Sequence, residues 1–166
     1  MHHVPLKKGW IFTDIKGIRD VERSATYHLF DYEELPPIEE DLDGNFDWLS
    51  AHPEQKHEEA YPYDFVKKLI QVRREGEEKG LKVPVSFFRL MGDGALLRRI
   101  RSNTDCYFEL GEFIEEIPDT NGMNFLHFMS DSQGCGYWYL CLDQYGNSCV
   151  VMSGNLYGHP YKYSGT

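Results

Sequence analysis

The side chains in this chain that could do chemistry are histidines, cysteines, an arginine cluster and two aspartates at turns. His52 and His57 lie among Glu54, Glu58 and Glu59, and such a set could hold a metal if its ligands converged on one face. Their spacing is not the i, i+4 of a helical zinc pair, so no metal centre is expected there. His2 and His3 belong to the terminus and would bind metal only adventitiously. His127 sits between Phe125 and Met129 in a strand-like run, where it reads as a paired histidine of the core or surface. No serine or cysteine near it stands in a nucleophile motif such as Gly-x-Ser-x-Gly. The four cysteines, Cys106, Cys135, Cys141 and Cys149, form no Cys-x-x-Cys and have no histidine at zinc-finger spacing, so they read as buried free thiols.

Three further sets are weighed in the same way. Gly92-Asp93-Gly94 before a short helix has the glycines of a phosphate loop but lacks the Walker pattern, and it follows a helix; it reads as a helix–helix turn. Arg98, Arg99 and Arg101 could grip an anion. The chain supplies its own acids, in Asp105, Glu109 and an acidic segment, and pairing within the molecule is the reading adopted. Asp131 and Asp143 flank one strand at its two ends, too far apart for a general acid/base pair across roughly 20 Å, and aspartate favours such turns. The residues therefore point away from an enzyme, and they call for no cofactor.

Charge is more informative. Of 27 acidic residues, 11 fall between Asp31 and Glu59 with one base, Lys56, and the remaining 16 acids and 16 bases cancel. The whole net charge of −10 sits in that segment. Nucleic acid is excluded as a partner, because phosphate repels such a face. A basic protein would be steered towards it, and Asp31, Glu33, Glu34, Glu39, Glu40, Asp41, Asp43 and Asp47 are the candidate partner-binding residues. No run approaches the ~18 apolar residues of a membrane helix. The N-terminus lacks the apolar core of a signal peptide, so a cytoplasmic, reducing location is expected.

The elements that must position these groups follow from periodicity. Residues 1–61 read as an acidic N-terminal extension that wraps the body, with Pro36, Pro37 and Pro53 breaking it and Phe46, Trp48 and Leu49 available to dock. Trp10 to Phe12 is a short apolar run, and Lys16 to Arg23 could make two helical turns. The body, 62–166, opens with a helix whose apolar face is Phe65, Val66, Leu69, Ile70 and Val72, ended by Gly80. A second helix starts at Pro84 with Phe87, Phe88 and Met91 inward, and a third spans Ala95 to Ile100. A strand over 105–110 follows, then a short strand or helical turn over Phe113 to Ile117, and a three-stranded meander over 125–152 with glycine-bearing turns. Helices first and strands after predict an α+β domain: an antiparallel sheet with helices packed on one face. Both faces of Tyr137–Leu142 are apolar, so this central strand is covered on both sides.

Five segments carry a family resemblance: Val83 to Met91, Leu97 to Phe108, Phe128 to Gln133, Trp138 to Asp143 and Gly146 to Val151. In order and spacing they resemble the SUKH superfamily, over about half the chain, from about Asp64 to Met152. That group includes yeast cell-wall-synthesis regulators and many bacterial proteins predicted to be immunity proteins against polymorphic toxins. The resemblance implies a SUKH-like α+β domain without shared catalytic residues, binding another protein, here a cognate protein toxin. A regulatory scaffold of the cell-wall-regulator type and a small-ligand or peptide sensor, with Tyr137, Trp138 and Tyr139 lining a pocket, are the alternatives. The extension 1–61 has no counterpart in the resemblance, and relatives continue into further helix where this chain reaches Thr166. The expectation is a domain truncated at its C-terminus, with one sheet face under-covered and a homodimer as one way to cover it.

Overall fold

The computed structural model of the protein describes residues 10–11, 29–30, 42–54, 64–100, 102, 105–117, 120 and 122–154. The chain divides into two compact units, 2–41 and 42–166. In the first, β1 (Trp10–Ile11) and β2 (Leu29–Phe30) pair antiparallel, Trp10 opposite Phe30. The helix expected over Lys16 to Arg23 lies outside the described residues. The second unit carries three helices, α1 (Val66–Glu78), α2 (Val85–Gly92) and α3 (Gly94–Leu97). They are followed by the strands β3 (Tyr107–Phe108), β4 (Glu115–Glu116), β5 (Asn124–Ser130), β6 (Tyr137–Leu142) and β7 (Ser148–Ser153). The result is α+β: helices plus a five-stranded antiparallel sheet, with β5, β6 and β7 as the expected meander. Among the described residues no helix is long and apolar enough to cross a membrane.

The two meander turns use one side-chain device. The Asp131 carboxylate accepts from the N–H groups of Gln133 and Cys135, both at 3.1 Å. The Asp143 carboxylate accepts from Tyr145 and Asn147 at 2.9 and 2.8 Å. In each turn a glycine three residues on, Gly134 at φ 71° or Gly146 at φ 86°, donates its N–H back to the aspartate carbonyl. Both positions need the left-handed conformation that glycine adopts without penalty. Both aspartates are turn residues: in each, one carboxylate oxygen takes two backbone donors, while the other faces a side chain, Cys106 Sγ at 4.0 Å for Asp131 and Asn147 Nδ2 at 2.7 Å for Asp143.

β5 carries a bulge. His127 pairs with Tyr139 and Met129 with Trp138, leaving Phe128 as the extra residue. Phe128 and its neighbour Met129 can then both face the helices, where they join one core with Leu126, Leu140 and Leu142 of the sheet and Leu69, Val72, Phe87, Met91 and Leu97 of the helices. On the opposite face Phe125, Tyr139 and Cys141 form a smaller cluster with Ile117, Met123, Tyr137 and Val151. Burying each large apolar side chain contributes about 1.5–3 kcal/mol, so the helical face dominates.

The first helix packs differently from its sequence reading. Leu69, Val72 and Gly76 are its buried positions and Phe65 is partly buried, a helical-period stripe. Val66 and Ile70, expected inside, are 54% and 66% exposed, because the stripe through Leu69 and Val72 leaves them on the flank. α1 ends in a Schellman motif: Leu81 N–H bonds to the Gly76 carbonyl and Gly80 N–H to that of Glu77, with Gly80 at φ 67°. Asp93 caps α3 by accepting from Ala95 and Leu96 N–H, making Gly92-Asp93-Gly94 the helix–helix turn. α3 stops at Leu97, short of Ile100, and Arg98 and Arg99 follow in a turn.

The strand expected over 105–110 reduces to Tyr107–Phe108. Asp105 at φ 53° breaks the extended run before it. After Phe108, the chain takes seven residue steps to Glu115 while β5 takes four, from Met129 to Phe125. Glu109 and Gly111 still donate their N–H groups to the Phe128 and His127 carbonyls of β5, at 3.0 and 2.8 Å, so the three surplus residues bow only the segment 112–114 towards α1.

Candidate partner-binding surfaces

Six of the eight acidic candidates, Asp31, Glu33, Glu34, Glu39, Glu40 and Asp41, lie outside the described residues. Asp43 and Asp47 are described, and both are exposed. The Asp43 carboxylate accepts from Asn45 N–H at 2.8 Å and from Asn45 Nδ2 at 2.7 Å, so part of its capacity holds a turn. Asn45 Oδ1 in turn accepts from Asp47 N–H at 2.7 Å, at the start of a 3-10 helix over Asp47–Ala51. Leu49 of that helix is 2% exposed and anchors the segment.

The end of this segment is held by the arginine cluster. Glu54 accepts from Arg98 Nε and from Arg99 Nη2, both at 3.2 Å. Arg99 Nη1 also donates to the carbonyls of Ser50 and His52. A single exposed pair contributes little; one carboxylate shared by two guanidiniums, with two carbonyls added, fixes position. Arg98 and Arg99 therefore pair within the molecule; Arg101 and His57 lie outside the described residues.

A second surface runs along α1. Lys68 Nζ donates to the Leu110 carbonyl at 2.7 Å and Gln71 Nε2 to the Glu112 carbonyl at 2.9 Å. Glu75 accepts from Ile114 N–H at 3.0 Å, and Lys79 donates to the Ile114 carbonyl while pairing with Glu75 at 3.0 Å. One helix face thus satisfies the Leu110, Glu112 and Ile114 backbone groups that turn away from β5. Leu110 and Ile114 are buried, while Phe113 between them stays 54% exposed. A shallow groove of about 620 Å³ lies here, with Ile70 and Phe113 as its apolar part and Lys67, Arg74 and Glu78 around them. Sequence reasoning missed this clamp, having named only the apolar face of α1. The one available signal was the spacing of Lys68, Gln71, Glu75 and Lys79, which repeats at helical period on a single face.

The histidine, serine and aspartate around the Phe128 bulge are inside. His127 is 6% exposed; its Nε2 lies 2.9 Å from Ser130 Oγ and 3.1 Å from the Met129 carbonyl, and Ser130 Oγ donates to Glu109 at 3.1 Å. The carbonyl can only accept, so Nε2 carries the proton. Residues three apart face opposite sides of a regular strand, and it is the Phe128 bulge that brings His127 and Ser130 to one face. The rings of Tyr139 and Tyr137 stand 5.3 and 5.9 Å away. With Ser130 2% and Asp131 3% exposed, the hydroxyl and carboxylate act as internal hydrogen-bonding groups.

The cysteines divide. Cys141 is 3% exposed, with its sulfur 3.7 Å from Met123 Sδ. Burial pushes its thiol up to about 12, helped by Cys149 opposite and Asp143 nearby. Cys149 and Cys135 are exposed, against the expectation of buried thiols; Cys149 lies on the outermost strand and Cys135 in a turn. Among the described residues no three His, Cys, Asp or Glu side chains converge as a metal site. No protein family, curated protein or solved structure matches the chain.

Proposed function

We propose that this chain is a non-enzymatic protein-binding module, and within that class an immunity protein that neutralises a cognate, basic toxin in the cytoplasm. The observation that carries it is the confinement of the entire net charge of −10 to Asp31–Glu59, joined to the Arg98–Glu54–Arg99 ion pairs that hold Glu54 of this segment against the end of α3. The anchor lowers the ordering cost of the described part of the segment, 42–54, when a basic partner engages it. The SUKH-like order of the five segments supports the same reading.

The test uses the full chain and the toxin-like protein encoded beside it. Binding is measured by calorimetry at low and physiological salt, for the wild type and for a variant with all eight candidate acids changed to Asn or Gln. The expected result is affinity that falls with salt and drops at least tenfold in the variant. Binding that ignores both salt and the substitutions overturns the acidic-face assignment, and a gene neighbourhood without a toxin overturns the immunity role. A regulatory scaffold is the second reading, favoured by the exposed Ile70 and Phe113 beside the α1 groove. Under it, Ile70→Glu or Phe113→Glu abolishes partner capture and the acidic variant does not.

A further inference from the structure

Among the described residues β7 ends the sheet, and its two backbone edges differ. Asp143 N–H donates to the Asn147 carbonyl at 3.1 Å across the β6–β7 turn, in register with Leu142 opposite Ser148. Antiparallel pairs alternate between hydrogen-bonded and non-hydrogen-bonded. From that turn, Cys149, Val151 and Ser153 exchange bonds with β6, while Ser148, Val150 and Met152 direct their N–H and C=O groups outward. Among the described residues no strand pairs with that outward edge. Natural edge strands are blunted by lysine, proline, bulges or brevity. β7 is six residues long, Ser-Cys-Val-Val-Met-Ser, with no charge, no proline and an unbroken register. Val150 at its centre is 60% exposed, while its neighbour Leu140 is 5% exposed, so the helical layer stops short of this edge.

We propose that the outward edge of β7 pairs with the same edge of a second copy of this chain, antiparallel about a twofold axis at Val150, making one continuous sheet. The hydrogen-bonding parity selects this register. An edge-to-edge twofold axis stands perpendicular to the sheet and keeps each residue on its own face. Centred on Val150, it sets Val150 against its counterpart and Ser148 against the other copy's Met152, so all three outward residues of each copy bond; any other centre leaves some unpaired. The strand is its own complement, since no charge meets a like charge across the axis. The net charge of the chain lies in Asp31–Glu59, outside this strand. Two strands of this length bury less than the roughly 1,200 Å² of a stable interface, so the dimer is weak and concentration-dependent. The inference is independent of the toxin partner.

The test is sedimentation equilibrium of the full chain from micromolar to near-millimolar concentration, with amide exchange by NMR. The expected result is a monomer–dimer equilibrium in which the amides of Ser148, Val150 and Met152 slow with concentration, while those of Cys149 and Val151, already bonded to β6, do not change. Val150→Glu, at an exposed position, shifts the chain to monomer and removes the concentration dependence. A wild-type chain that stays monomeric throughout, or dimerises without slowing those three amides, overturns the proposal. The exchange pattern of the wild type decides the matter even if the variant folds poorly.

Discussion

Cys141 and Cys149 stand opposite each other on β6 and β7, one sealed in the core and one open to solvent. Native protein treated with iodoacetamide at neutral pH is therefore expected to lose Cys149 and Cys135 and to keep Cys141, as peptide mass mapping will read; labelling of Cys141 at the same rate as the others refutes its burial. The pH dependence has a definite sign. The Cys141 thiol is raised from 9.0 to about 12 in the fold, so above pH 9 the unfolded chain releases its proton first. The stability linked to this thiol is fully present below pH 9 and is lost as pH rises towards 12. Over that range the urea midpoint of the wild type should fall relative to that of Cys141→Val, which has no thiol to titrate. At this scale the sequence was readable in part. Its strand pattern placed Cys141 inside, but the exposure of Cys149 depends on which strand ends the sheet. The bond between His127 and Ser130 depends on the Phe128 bulge, and no local pattern announces a bulge.

Among the elements, α1 separates what is local from what is not. Gly80 was legible as its stop, because a glycine after a periodic run is the common helix end. It stands at φ 67°, and an added Cβ would meet nothing within 4 Å. Gly80→Ala is therefore expected to cost about 1 kcal/mol from the backbone alone, read as a lower urea midpoint with unchanged slope; an unchanged midpoint would mean that the helix end relaxes freely. The start of the helix was misread for a tertiary reason. Val66 and Ile70 match helical periodicity as well as Leu69 and Val72 do, and only the position of the sheet decides which pair is covered. The strand over 105–110 looked continuous by alternation of Cys106, Phe108 and Leu110. Alternation cannot show that the run leaves β5 after Gly111, or that the Leu110 carbonyl turns to Lys68 of α1.

At the scale of the molecule, the α+β class and the meander were legible because hydrophobic period and turn residues are local signals. The candidate site was legible only as a charge imbalance. The anchoring of Glu54 needs residues 44 and 45 positions apart in the chain to meet, and the clamp on 110–114 needs separations of 35 to 42. These distances set an order of events. The β5–β6–β7 hairpins close over short turns, and such contacts form early, whereas closing a loop of some forty residues costs more chain entropy before any bond rewards it. The α1 clamp is then a late fastening, absent from the folding transition state. Gln71→Ala, removing one bond of about 1 kcal/mol, should speed unfolding about fivefold and leave the folding rate unchanged. Stopped-flow traces in which folding slows instead would place the clamp in the nucleus. The long-lived part of the fold is then the sheet, and the lifetime of the whole is set by how firmly one helix holds a bowed strand.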